Sequence, residues 1–197
     1  MKKKVYVVRH GQTEFNVQKR CQGWSDSPLT EKGKAQARKV RAYFDEHGIR
    51  FDHAYASDLQ RAIDTMCLIT AGYDIPRFTT AGLREMSFGR YDGAFHADIP
   101  SGDMATYFKT VGGETMEEAI VRAYKTIVQI MAQPDHECVL CVSHGIPVSG
   151  LFRSLPRDKT IEDPRDFRNG CILEYEIDGY DMKLVRFVQT EKEKFVL

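Results

Sequence analysis

With 197 residues, 28 of them Lys or Arg and 28 Asp or Glu, the chain carries no formal net charge, and 42% of it is hydrophobic. That size suits one domain spanning residues 1–197, which buries roughly 70% of its unfolded surface and needs no disulfide or metal to close a core. The composition excludes a disordered chain, and the neutral balance argues against a broad nucleic-acid binder, which carries a basic excess on one face.

Lys2-Lys3-Lys4 reads as a solvated terminus, and the apolar run 5–8 after it predicts a buried strand that ends at Arg9-His10-Gly11. Residues 16–28 are polar and turn-rich. Thr30 is placed to cap a helix with Glu31 in its first turn, and Gly33, Ala37, Val40 and Phe44 then form one apolar stripe ending before His47-Gly48. Glycine weakens a helix, so Gly33 is assigned to close packing. Residues 53–56 predict a second strand. Asp58 is placed as the cap of the helix after it, in which Leu59, Ala62, Ile63, Met66, Cys67 and Ile69 recur at helical spacing until Gly72.

Residues 73–113 show weak periodicity and scattered aromatics. Forty residues without structure would be unusual, so short helices are expected there, in a lid or specificity region. Residues 114–131 carry the longest helical pattern. The run 138–142 predicts a strand buried on both faces, ending at Ser143-His144-Gly145. A short helix over 146–155 tolerates Pro147 near its first turn, and 171–177 with 182–188 form an antiparallel hairpin about Asp178-Gly179.

The five cysteines, an odd number, point to free thiols in a reducing compartment. Cys138 and Cys141 form a CxxC, but on a strand they face opposite ways, which disfavours chelation. No apolar run reaches the 18 residues of a membrane span and no signal-peptide core follows the basic start, so the expected location is the cytoplasm, away from membranes.

Strands alternating with helices predict an α/β fold: a three-layer α/β/α sandwich on a mostly parallel sheet. Such sheets place ligands beyond the C-terminal ends of their strands. Arg9-His10, Ser57-Asp58 with Arg61, and Ser143-His144 all follow predicted strands, so two arginines and two histidines converge on one rim. Arginine forks match phosphoryl oxygens, and a histidine nitrogen can be a covalent nucleophile. Glu85 is a candidate proton donor to a leaving alkoxide. These residues taken alone leave a phosphate-ester enzyme and another anion-binding α/β protein evenly matched. Nearby arginines would oppose a metal between the histidines, and no Walker loop, dinucleotide fingerprint or HExxH occurs.

Arg9-His10-Gly11-Gln12-Thr13-Glu14 with Asn16, Gln22-Gly23-Trp24-Ser25-Asp26-Ser27-Pro28-Leu29-Thr30, Ser57-Asp58-Leu59-Gln60-Arg61-Ala62, Glu85 with Gly89, Gly113-Glu114-Thr115 and Ser143-His144-Gly145 resemble, in order, the blocks of the histidine phosphatase (phosphoglycerate mutase-like) superfamily. The resemblance implies a phosphoglycerate mutase-like fold and catalysis by His10, which is phosphorylated, with Arg9, Arg61 and His144 completing the phosphate pocket and Glu85 giving the proton. It also implies that Asn16 supports the pocket and that the Gln22-Gly23 backbone touches substrate, with no metal and no bound cofactor.

Within the family, the compact stretch from Glu85 to Gly113 lacks the longer insertion of the glycolytic mutases. It resembles the small phosphatase branch, so a small phosphomonoester is the expected partner and hydrolysis through a phosphohistidine the expected reaction. The alternatives are a phosphoglycerate mutase-type transfer and a weakly active or non-catalytic phosphoprotein-binding module. Arg90, Lys109 and the aromatics of 88–108 read as lid packing and solvated surface before they read as substrate contacts. A homodimer is compatible with the sequence.

Overall fold

The computed structural model describes residues 2–103 and 105–191. Its frame is a six-stranded sheet ordered β3-β2-β4-β1-β5-β6. The strands are β1 (Lys3–Arg9), β2 (His53–Ser57), β3 (Arg77–Thr80), β4 (Cys138–Ser143), β5 (Ile172–Asp178) and β6 (Asp181–Val188). β1, β4, β2 and β3 run parallel, while β5 pairs antiparallel with β1 and closes the predicted hairpin with β6. The sheet is therefore mixed but mostly parallel, as expected. β3 is the strand that sequence pattern missed: its Arg77-Phe78-Thr79-Thr80 is largely exposed and shows no core face.

Alternation sorts the central strands onto two cores. Val5, Val7, Val139 and Cys141 pack under α4 (Met116–Met131) and α5 (Gly145–Ser154). Tyr6, Val8, Leu140 and Val142 pack under α2 (Glu31–Glu46) and α3 (Gln60–Ile69). Helices on both faces give the three-layer α/β/α sandwich. Cys141 enters the first core and Cys138 borders the second, so the CxxC pair is split by the sheet as strand parity requires. Between 73 and 113, besides β3, the chain makes four short 3₁₀ turns at Ala81–Leu83, Gly89–Tyr91, His96–Asp98 and Tyr107–Val111.

Two caps show what local pattern can and cannot see. The Thr30 hydroxyl accepts from Gly33 N–H at 3.0 Å, as predicted. A Cβ at Gly33 would lie 2.0 Å from the Gln12 carbonyl oxygen, so the glycine lets α2 press against the loop that carries His10. Asp58, by contrast, does not cap α3. Its carboxylate pairs with Arg84 Nε and Nη2 at 2.7 and 2.6 Å. The amides of Gln60 and Arg61 at the head of α3 are taken instead by Asp26, a residue some 35 positions away.

Candidate active site

The register of β1 on β4 sets Arg9 beside Ser143, so His10 and His144 leave the sheet together at its C-terminal rim. Their rings lie 5.1 Å apart, and both residues are buried. β1 supplies His10 through a backbone held on both sides. The His10 N–H donates to the Ser143 carbonyl at 3.0 Å, and the His10 carbonyl accepts from Asn169 Nδ2 at 2.9 Å.

The ring of His10 is oriented by one bond, from Nδ1 to the Gly11 carbonyl at 2.7 Å. A carbonyl can only accept, so Nδ1 carries the proton and Nε2 keeps its lone pair. Burial, then the fields of Arg61 and Arg9, depress the basicity of His10 well below the usual 6.5. Such a ring stays neutral and nucleophilic across the physiological range.

His144 is set the other way round. Its Nδ1 accepts from Arg61 Nε at 3.2 Å, which places its proton on Nε2. That nitrogen is buried and has no hydrogen-bond partner among the described residues. A buried donor without an acceptor costs about 1–3 kcal/mol, a penalty that a bound oxyanion would remove.

The sequence grouped Arg9 and Arg61 as two open forks. Arg61 is not one. Besides its bond to His144, Nη1 donates to the Ser25 carbonyl at 2.7 Å and to Asp26 at 3.0 Å, and Nη2 to the Gly23 carbonyl at 2.7 Å. Four of its five N–H directions end on protein, so it contributes charge and a single remaining donor. Arg9 donates from Nη1 to the Phe167 carbonyl and leaves a buried Nε that has no partner among the described residues.

Glu85 follows a 3₁₀ turn and its carboxylate sits over the first turn of α5. It accepts from Gly145 N–H at 3.0 Å, Ile146 N–H at 3.1 Å and its neighbour Met86 N–H at 3.0 Å. These amides, Arg61 and Arg9 favour the anion, but enclosure of the carboxylate outweighs them and its pKa is raised above 4.5. Glu85 is thus held where it can carry a proton.

Arg9, His10, Asn16, Arg20, Cys21, Gln22, Arg61, Glu85, Phe88 and His96 line one cavity of about 160 Å³. The side-chain oxygen of Asn16 accepts from Thr13 N–H at 3.1 Å, and that of Gln22 from the Thr13 hydroxyl at 2.9 Å. Each side-chain oxygen is thus committed to protein, which leaves the amide NH₂ as the donor that each residue brings to the cavity. Gly23 does not line the cavity. It has φ +49°, a Cβ there would fall 1.7 Å from Asp92 Oδ1, and its carbonyl is committed to Arg61. It holds Arg61 in place where sequence reasoning expected a backbone contact to substrate. Arg90 and Lys109 also stand outside, bonded to the Tyr91 hydroxyl and to Glu118.

Sequence reasoning missed the brace under Glu85. Arg122 Nη1 donates to the carbonyls of Ala81, Gly82 and Arg84, and Nη2 to that of Glu85 at 3.1 Å. Its Nε and Nη2 also grip Glu114 at 2.9 and 2.8 Å, and Trp24 Nε1 donates to the same Glu85 carbonyl at 2.9 Å. The one available hint was a lone arginine in the helical pattern, which reads as a surface charge.

A neutral imidazole lone pair, a second imidazole donor, two guanidinium groups and a carboxyl of raised pKa are gathered at the rim of an α/β sheet, the place where such sheets bind ligands. The histidine phosphatase superfamily (branch 1) model matches residues 5–190, and the chain belongs to that family. It is 34% identical over 161 residues to the probable phosphoglycerate mutase GpmB of Enterobacter sp. (strain 638), covering 77% of this chain and 74% of the relative. It is 32% identical over 161 residues to the adenosylcobalamin/alpha-ribazole phosphatase of Salmonella typhimurium, covering 77% and 79%. Among solved structures, Bacillus stearothermophilus YhfR superposes with a TM-score of 0.79 at 28% identity over 92% of this chain and 94% of that one. The phosphoglycerate mutase of Bacillus anthracis superposes with 0.77 at 25% identity over 93% and 91%. The family thus holds both phosphatases and mutases, and the fold is phosphoglycerate mutase-like. Among the described residues no helix is long and apolar enough to cross a membrane.

Proposed function

We propose that the protein hydrolyses a small phosphomonoester through a phosphohistidine on His10. The observation that carries this reading is the tautomer of His10: its Nδ1–H is fixed on Gly11, so Nε2 presents a lone pair in a cationic cavity. Nε2 attacks phosphorus, the ester P–O bond breaks, and Glu85 gives its proton to the departing alkoxide oxygen. Arg9, Arg61, His144 Nε2–H and the amides of Asn16 and Gln22 hold the three phosphoryl oxygens as the group flattens. Glu85, now a carboxylate, takes a proton from water as that water attacks the phosphohistidine, which frees inorganic phosphate and restores both groups. Arginines and imidazole supply the neutralisation that a metal gives elsewhere, so a chelator is expected to leave turnover unchanged.

The mutase reading has support of its own, since the GpmB relative is named a probable phosphoglycerate mutase. A mutase must keep its phosphoryl group from water while the substrate turns. The short connection between Glu85 and α4 favours hydrolysis. Rapid-quench labelling with a phosphomonoester should trap an acid-labile, base-stable phosphoenzyme that decays to inorganic phosphate. Label on serine or aspartate would defeat the mechanism. Isomerisation of a phosphoglycerate, primed by its bisphosphate and outpacing phosphate release, would replace hydrolase with mutase.

A further inference from the structure

We propose that the same cavity contains a second anion subsite, built on Arg20 with His96 beside it, that takes a carboxylate or second phosphate on the alcohol portion of the substrate. This rests on the hydrolase reading above and names its substrate class: small phosphomonoesters of acidic alcohols. A cavity of about 160 Å³ lies below the roughly 300–1,000 Å³ that drug-sized ligands occupy, so the alcohol is short.

Arg20 reaches the cavity from the turn after α1 (Glu14–Val17), apart from the strand ends that bring Arg9 and His10. Its guanidinium carbon lies over two rings, 4.4 Å from the centroid of Phe15 and 4.8 Å from that of Phe95. Its Nε donates to the Gly93 carbonyl. Those three contacts fix the plane and the roll of the fork. Among the described residues neither Nη1 nor Nη2 has a protein partner, in contrast to Arg61, whose Nη groups make three bonds to protein.

The wall around it is stitched shut. Cys21 N–H donates to Ala94, Gly93 N–H to Cys21 and His96 N–H to Lys19, at 2.8, 2.6 and 2.9 Å, so segment 93–96 is bonded to 19–21 along its backbone. This seam carries His96 into the cavity lining and Phe95 against Arg20. Glu85 is the only carboxylate among the lining residues, and it faces the amides of α5. No acid in the wall therefore answers Arg20. A fixed, open fork of this kind matches an oxyanion edge and gives no advantage to a neutral alcohol. The competing account is that Arg20 only clamps Phe15 to the 93–95 seam, in which case its loss would weaken all esters alike.

The test measures ratios within matched pairs, so loss of folded protein cancels. One pair is 3-phosphoglycerate and glycerol 3-phosphate, which differ by a carboxylate in place of a hydroxymethyl group. The other is propane-1,3-diyl bisphosphate and propyl phosphate. Calorimetric affinities to His10→Ala protein are compared with those of the same protein carrying Arg20→Gln, and kcat/KM ratios are read with His10 present. In at least one pair the acidic member should be favoured, and Arg20→Gln should cut that preference about 10- to 100-fold; the responding pair tells carboxylate from phosphate. Hydrolysis of both members at a ratio that Arg20→Gln leaves unchanged overturns the subsite and leaves the hydrolase reading standing. Arg20-dependent selectivity in binding without phosphate release from any ester does the reverse.

Discussion

Two histidine pairs occupy opposite ends of the same parallel part of the sheet, and they behave as different materials. At the C-terminal rim, His10 and His144 sit 5.1 Å apart with planes at 58°, facing Arg9 and Arg61. At the N-terminal rim, His53 and His136 stack at 3.7 Å and 13°, and their neighbours are aspartates. His53 Nδ1 bonds Asp52 at 2.9 Å, His136 Nδ1 bonds Asp135 at 2.8 Å, and His136 Nε2 meets the Tyr55 hydroxyl at 2.9 Å. The second His53 nitrogen lies 3.6 Å from Asp135. Three of the four ring nitrogens of this pair are hydrogen-bonded and the fourth faces a carboxylate, whereas the first pair leaves one lone pair and one N–H without a bond among the described residues. Chemistry follows from what a ring is not bonded to.

The stacked pair with Asp135 is also the one cluster of potential metal ligands among the described residues. A metal must lie about 2.0–2.1 Å from each ligating nitrogen and near the plane of each ring. Two almost parallel rings 3.7 Å apart do not share such a point. The cluster is a clasp: Asp52 also accepts from Glu137 and Cys138 N–H at 2.8 and 2.6 Å, tying the start of β2 to the start of β4.

The sharpest way to break the contrast is to remove one ring from each pair. His10→Ala should lower kcat by about 10⁴-fold or more and abolish the phosphoenzyme, with an unchanged circular dichroism spectrum. Glu85→Gln should cost about 10²- to 10³-fold on alkyl phosphates and less on p-nitrophenyl phosphate, whose leaving group needs no proton. The pH profile carries the sign. His10 must be unprotonated, so activity is lost as pH falls through its depressed pKa, below 6.5. Glu85 must be protonated, so activity is lost as pH rises through its raised pKa, above 4.5, and Glu85→Gln should erase that alkaline limb.

Arg122→Met, which leaves every group of the cavity in place, should lower kcat about 10- to 100-fold and shift the alkaline limb, while Arg122→Lys recovers part of both. A uniform loss with an unshifted limb would reduce Arg122 to a fold-stabilising residue. At the other end of the sheet, His136→Phe should keep kcat within about 2-fold and cost about 1–2 kcal/mol in urea denaturation, through its lost bonds to Tyr55 and Asp135. A large catalytic defect there would erase the distinction between the two rims.

How much of this was legible in the sequence depended on the range of each signal. The buried strands 5–8 and 138–142 announce themselves because both faces are apolar, and strand ends brought Arg9, His10, Arg61 and His144 to one rim from pattern alone. Thr30 and Gly33 were readable because a cap and its helix are adjacent. Asp58 was misread for the same reason: adjacency suggested a cap, whereas Arg84 draws its carboxylate away and Asp26 arrives from another loop. Arg122, Asn169 and Arg20 were silent. Each binds at least one carbonyl that lies dozens of residues off, and no periodicity marks such a bond. The commitment of the Arg61 fork was equally hidden, since two of its four acceptors are backbone oxygens and the other two lie on distant segments.

The strand order carries a consequence for how the molecule comes into being. β1 is made first, yet its two neighbours in the sheet are β4 and β5, which begin at Cys138 and Ile172. At roughly 5–20 residues per second, the ribosome delivers those partners roughly 6 to 30 seconds after the first strand has emerged. Through that interval Val5–Val8 is an apolar ribbon with both edges bare, a natural client for holding factors and a seed for aggregation. His10 leaves the end of β1, and the two strands that fix β1 on either side come from the last third of the sequence.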